Sequence, residues 1–528
     1  VFTTSNTLTN KTANSASQTV KNTGQSASLN LDFKDRYVLD GTIRRDGSSL
    51  FGEGNRYAVF GRISGVWRLS EEPFWKPNRY LSDTRFRASH GTAGNSPRFI
   101  AQYETYFCST TGCSLGQAGN SKLRPETTTE NEFGVDLTAF GRLGLELTKA
   151  DSRTRNQILP VQTPNSLGFA TQWQNAGSLD NHTWEVALSL PIMEKKDFSW
   201  SMHGTWDRTR TYVSELFTQE FVYDGGTLQG TGSFFHITSN PSLSNGTPQN
   251  LYGAIWGRKF YTACDQMAAS LQSQCGDGKA FQRNDLGYIV WVGDGNSWRD
   301  GVTKNLWQTR LSGSQSPFGN AVPLYFGMPI IDRPLRGEPG ESFGINQIIG
   351  HALPDFRLSY SNNITYKRLS LYALVDGTYG QSLYNQSEGW GLLDFASSRF
   401  DGRDLTVETA KPVGYEWRGG PSESTGIGGF YDVLGPNNYV VQDASYAKIR
   451  EVSATYRVGP VARTGDWTVG VIGRNLKTFT SYHGLDPEVG APQSGSGTNG
   501  TGSSLTNSVD AFGFPNLRTF TFTVSTRF

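Results

Sequence analysis

Apolar and polar residues alternate strictly along this chain, over stretches of about ten residues repeated many times. At the C-terminal end Phe520, Phe522, Val524 and Phe528 share one parity, while Thr519, Thr521, Thr523, Ser525 and Arg527 share the other. Successive side chains of an extended strand point to opposite faces, so this segment has one greasy side and one wet side. The same pattern recurs in Phe133-Val135-Leu137, Leu143-Leu145-Leu147, Trp184-Val186-Leu188-Leu190, Trp200-Met202-Trp206, Leu369-Leu371-Ala373-Val375 and Trp467-Val469-Val471. About thirteen such segments can be counted, centred near Leu31, Asp40, Arg62, Phe86, Val135, Leu145, Ala187, His203, Tyr360, Ala373, Ser453, Val471 and Thr523.

Their length decides between two all-β readings. A tilted membrane-spanning strand needs roughly 9–11 residues, whereas strands of soluble sandwiches run to about 5–6. The connections are also unequal. Tight turns are expected at 139–142 and 367–368, and long loops at about 93–127, 214–354, 381–445 and 481–515. Short turns alternating with long loops predict a transmembrane antiparallel β-barrel; a soluble β-sandwich lectin is the competing fold. No apolar run approaches the ~20 residues of a membrane helix, which leaves a barrel untouched. Lysine plus arginine against aspartate plus glutamate is 48 to 47, so there is no basic footprint for nucleic acid. Single-chain bacterial barrels close with an even number of strands. The odd count and the polar start at Val1 lead us to expect that 1–528 is a piece of a larger barrel.

Four cysteines fall into two local pairs, Cys108 with Cys113 and Cys264 with Cys275, both in loop-like sequence. In an exported protein such spacing reads as disulfides; free thiols or a metal site are the alternatives, although no histidine lies near either pair. Asp294, Asn296 and Asp300 place oxygen ligands at alternate positions, as a calcium loop can, or simply make a turn. Gly47-Ser48-Ser49 could cradle an anion or form a hairpin turn. The long loops are rich in rings: Trp256, Tyr288, Trp291, Trp298, Trp307, Trp390 and Trp417. Trp291, Trp298, Trp307 and Trp390 are the candidate substrate contacts, since apolar ring faces beside polar edges hold sugars and peptides; the alternative is that they pack the loops. Trp184, Trp200, Trp206 and Trp467 read as interface girdle residues. Glu132, Asp136, Glu146, Asp207 and Asp376 are assigned to the wet face. The six histidines and the absence of HExxH, GxSxG and Walker motifs leave no catalytic constellation, and no cofactor is expected beyond a structural calcium.

An ordered set of segments resembles the C-terminal barrel half of SusC/RagA-like TonB-linked transporters. It comprises Phe33 to Leu39 followed by Arg44-Arg45-Asp46-Gly47-Ser48-Ser49 and Phe51-Gly52, Trp67 to Phe74, Leu81 to Asn95, Leu123 to Asp136, Gln172 to Gly177 with Glu185, and Gly473-Arg474-Asn475-Leu476. His182 and Thr183 depart from the family pattern. The terminal Phe528 is similar to the aromatic end by which barrel-assembly machinery recognises this class. The resemblance implies a 22-stranded barrel in the outer membrane of a Gram-negative, Bacteroidota-like bacterium. It further implies a plug, coupling to TonB through an N-terminal region not recognisable in this chain, a SusD-like surface lipoprotein as lid, and import of oligosaccharides or peptides. A structural or adhesive barrel that binds partners through its loops is the alternative function.

Overall fold

Extended backbone dominates, as the alternation requires. The computed structural model describes residues 19–52, 54–76, 80–109, 112–169, 171–223, 235–339, 345–411, 430–431, 433, 435–461, 464–489 and 508–527. Phe528 and Trp417 lie outside the described residues.

Thirteen long strands form one continuous antiparallel sheet in chain order. They are β1 (Asn22–Phe33), β2 (Tyr37–Ser48), β3 (Tyr57–Arg68), β4 (Leu81–Asn95), β5 (Glu126–Ala139), β6 (Leu143–Gln162), β7 (Thr171–Lys195), β8 (Phe198–Leu216), β9 (Phe356–Tyr366), β10 (Leu369–Tyr379), β11 (Tyr446–Pro460), β12 (Asp466–Thr480) and β13 (Thr519–Arg527). A two-residue strand, Gln117–Ala118, adds to β7 in parallel. Each of the thirteen expected centres lies in one of these strands.

Register turns the alternation into two surfaces. Phe33, Tyr37, Trp67, Phe86, Val135, Leu147, Val186, Trp206 and Leu358 lie each opposite the next from β1 to β9. Leu371, Ala454, Val471 and Phe522 carry the same face to β13. Phe520 and Phe522 are 63% and 79% exposed, outside any protein core. A contiguous apolar surface of this extent belongs against lipid. Trp200 near the turn end and Trp184, opposite Arg208 near the loop end, bracket this band. The other face carries the row Arg85, Asp136, Glu146, Ala187, Thr205, Ser359, Asp376 and Lys448. Arg87 binds Asp136 at 3.1 Å and Glu132 at 3.2 Å, so the carboxylates assigned to the wet face are balanced by cations on it.

At one end the chain reverses within 34–36, 140–142, 196–197, 367–368 and 461–465. Lys34 and Asp35 both adopt positive φ, the backbone of a primed hairpin turn, whose twist matches that of the flanking strands. Gly47 and Ser48 belong to β2, opposite Tyr57 and Asn22, which makes the Gly47-Ser48-Ser49 segment a strand running into a hairpin connection. The middle strands are longer than a membrane crossing needs, 25 residues in β7. Past the apolar band their outward face turns charged: Lys149 and His182 both hold Asp151.

At the opposite end the long connections fold together rather than trailing as loops. Residues 217–355 and 380–445 supply two apolar cores. One is built on Phe235, Ile255, Phe260, Tyr431 and Tyr439; the other on Phe281, Ile289, Trp291, Phe318 and Leu324. The connections are stitched through Asn438, whose Oδ1 accepts from Phe260 N–H at 2.8 Å and whose Nδ2 donates to the Phe260 carbonyl at 3.1 Å.

Both cysteine pairs are disulfide-bonded. Cys108 and Cys113 face each other across the hairpin Tyr106–Ser109/Gly112–Leu115. Cys264–Cys275 clips a segment packed on the second core. Closing a loop of that size removes chain entropy from the unfolded state worth about 2–3 kcal/mol. The double variant Cys264→Ser/Cys275→Ser is expected to lose that much local stability. Hydrogen exchange at Phe281–Arg283 reads it; unchanged protection would show that packing alone holds the segment.

Candidate functional site

The polar face meets the folded connections in a cleft of about 520 Å³ at the mouth of the sheet. Asp207 on β8, Arg357 on β9, Asp376 on β10, Tyr446 and Arg450 on β11 and Glu488 from 481–489 are among the residues that line it. The strands bring the first four together because alternate residues share a face and neighbouring strands lie about 4.8 Å apart.

Arg450 needs a special backbone. Val375 pairs with Ile449 and Leu374 with Glu451, leaving Arg450 without an opposite residue. This bulge interrupts the alternation and turns two consecutive side chains toward the polar face. Arg450 then holds Asp376 at 2.6 and 2.9 Å and grips Glu488 through both terminal nitrogens. On β12 the same irregularity falls at Asn475, at positive φ, whose side chain donates to the Leu517 carbonyl. That gives the Gly473-Arg474-Asn475-Leu476 motif a structural purpose, with Arg474 bonding Glu451.

Behind the cleft Lys448, 2% exposed, donates to Asp486 at 2.6 Å and Glu488 at 2.5 Å. Tyr446 donates to Glu488 at 2.7 Å. This knot docks 481–489 onto the wall. Burial by itself pushes the Glu488 carboxyl up, but hydrogen bonds from Arg450, Lys448 and Tyr446 outweigh it and hold the group at about 2. A carboxylate depressed on folding contributes stability that is complete above its unfolded value near 4.5 and is lost as pH falls through the folded value. Thermal stability in detergent is therefore expected to fall from about pH 4.5 down to about pH 2, and Glu488→Gln to flatten the profile within that window. Superimposable profiles would show that the carboxylate is not so held.

The loop aromatics differ in how far they are buried. Trp291 is 6% exposed inside the second core, its ring covered by the loop's own side chains. Trp256 is buried against His236, ring centroids 5.2 Å apart. Trp307 is half-buried edge-on to Phe326 at 4.9 Å, and Trp298 carries Arg299 over its ring. Trp390 lies half-buried on the helix Gln386–Leu393. None of these rings lines the cleft. In the 294–300 turn the Asp300 carboxylate accepts from Ser297 N–H at 2.9 Å and pairs with Lys304 at 2.6 Å, while the Asn296 amide donates to the Val292 carbonyl. Calcium there would have to displace Lys304. Among the described residues no group of three or more His, Cys, Asp or Glu side chains is placed to hold a metal.

Sequence reasoning placed Asp207 and Asp376 on the wet face but missed Arg357, Lys448, Arg450, Asp486 and Glu488. Two lie in the connection 481–518 and one at a bulge, where period-two reading fails. Residues 2–476 match the family described as TonB dependent receptor-like, beta-barrel. The chain belongs to the TonB-dependent receptor β-barrel family. It is 24% identical to TonB-dependent receptor P3 of Formosa agariphila over 95% of this chain and 45% of that protein. TonB-dependent receptor SusC of Bacteroides thetaiotaomicron is 31% identical over 34% of this chain and 20% of its own length. Among solved structures the RagAB peptide transporter matches with a TM-score of 0.62 at 18% identity, over 96% of this chain and 47% of that one. The chain spans about half the length of the curated relatives it matches.

Proposed function

We propose that this chain forms wall and mouth of an outer-membrane importer for oligosaccharides or peptides, in a Gram-negative bacterium of the Bacteroidota type. One observation carries the reading: a sheet greasy on one face and charged on the other, with a polar cleft opening where folded connections cap its mouth. Lipid would cover the first face and solute would pass along the second. The named relatives, SusC and the RagAB peptide transporter, support a SusD-like lipoprotein seated over the connections. Energy would come from TonB, engaged by a part of the protein outside this chain. The importer moves solute without covalent chemistry, and no metal is required by it.

Among the described residues β1 pairs only with β2, and β13 only with β12. In an up-and-down sheet of thirteen strands both edges run the same way. Antiparallel closure, which leaves no bare edge in lipid, therefore takes an odd number of strands beyond these thirteen. The test is deletion of the full-length gene, with uptake of labelled oligosaccharide and peptide mixtures followed in cells. Loss of uptake of either class supports import. Unchanged uptake of both, with loss of surface attachment, would establish an adhesive barrel instead.

A further inference from the structure

In the mouth cleft, the guanidinium of Arg357 differs from its neighbours. Arg450 spends its donors on Asp376, Glu488 and the Tyr446 hydroxyl. Lys448 is sealed behind the cleft by Asp486 and Glu488. Arg357 is held through Nε alone, 3.3 Å from Oδ2 of its cross-strand partner Asp207. Its two terminal nitrogens make no hydrogen bond among the described residues, and its side chain is 60% exposed toward a space lined by Thr205, Ser359, Thr378 and Gln381.

A guanidinium clamped at Nε and open at both terminal nitrogens presents parallel donors, the geometry that matches the two oxygens of a carboxylate. We propose that Arg357 is an anchoring site for a carboxylate carried by the imported solute, with Asp207 as its positioning residue. This rests on the import reading and narrows its cargo to acid-bearing molecules. Among the described residues no tryptophan lines the cleft, and the aromatic ring that does, Tyr446, is buried, which leaves little ring face for a neutral sugar. The acidic neighbours do not cancel the site. Asp376 and Glu488 are already neutralised by Arg450 and Lys448. Asp207 lies inside the ~8 Å over which salt screens charge, so it opposes an incoming carboxylate, and the paired donors that touch the ligand directly have to outweigh that repulsion.

Two sources carry this chemistry, a peptide C-terminus or a uronic acid in an oligosaccharide, and the test separates them. The full-length transporter in detergent is titrated calorimetrically with a hexapeptide bearing a free C-terminus and with its C-terminal amide. A galacturonic acid oligomer and its methyl ester form the second pair. Within at least one pair the acid is expected to bind at least tenfold tighter than its neutral partner. Arg357→Gln should erase that difference, lowering the acid's affinity at least tenfold and the neutral member's far less, and Arg357→Lys should restore part of it. Equal loss for acid and neutral forms, unchanged acid affinity in Arg357→Gln, or no acid binding by the wild-type protein would each overturn the assignment. Uptake of neutral solute by cells in that case would leave the importer reading standing and remove only this site.

Discussion

Replacing Lys448 by Met should cost about 3–5 kcal/mol, because it breaks a buried ion cluster by removing one partner. The ammonium is 2% exposed and donates to both Asp486 and Glu488, and Asp486 is itself buried. With Lys448 gone Arg450 still holds Glu488, but Asp486 has no cation left within reach among the described residues. The damage should be local: residues 481–489 undock while the strands keep their pairing. Hydrogen exchange mapped along the chain would show protection lost there and retained in β11 and β12. A companion variant, Lys448→Met with Asp486→Leu, removes both ends of the pair and should recover much of the loss, since an apolar replacement leaves no stranded charge. A single variant within about 1 kcal/mol of wild type would mean that water reaches the cluster and screens it.

Phe260→Ala tests the claim that the long connections form a packed module. Phe260 is fully buried, with the rings of Tyr288 and Tyr431 5.8 and 5.7 Å from its own. Truncating a buried phenylalanine removes its transfer energy and leaves a cavity, together about 3–5 kcal/mol. Phe260 belongs to the connection 217–355 and Tyr431 to 380–445, so the cavity would open at their junction. The module should become sensitive to trypsin while the sheet keeps the slow electrophoretic shift on heating that marks an intact barrel. Unaltered proteolysis would mean that the two connections stand independently.

The arrangement has a mechanical reading. A β-sheet with strands of up to 25 residues is a stiff frame, and the frame positions Asp207, Arg357 and Asp376 by register and Arg450 by the bulge beside Glu451. Glu488 is different, because it reaches the site from 481–489, a segment held by ion pairs rather than by strand pairing. Docking that segment completes one side of the cleft, so the same contacts that stabilise the mouth also shape it.

Legibility followed the physics of each element. Leu145, Val186, Phe522 and their neighbours could be assigned to one face from the sequence, since a strand's period is two and needs no knowledge of the rest of the fold. The hairpin at 367–368 and the local disulfides were equally legible, since each is decided by residues close in the chain. The family resemblance followed from the same strands. Non-local facts were not legible. Trp291 and an exposed ring look alike in sequence, and only the packing of Phe281, Phe318 and Leu324 against it settles its burial. Arg450 could not be assigned a face, because a one-residue bulge shifts the parity and leaves no compositional mark. Lys448 meets Asp486, and Phe260 meets Asn438, across long stretches of chain. Long two-faced strands joined by alternately short and long connections thus follow from side-chain periodicity within each segment. That the connections share apolar cores, and that one cleft collects its charges from four strands and a docked segment, came from folding in three dimensions, because those outcomes depend on register and on contacts between residues far apart in the chain.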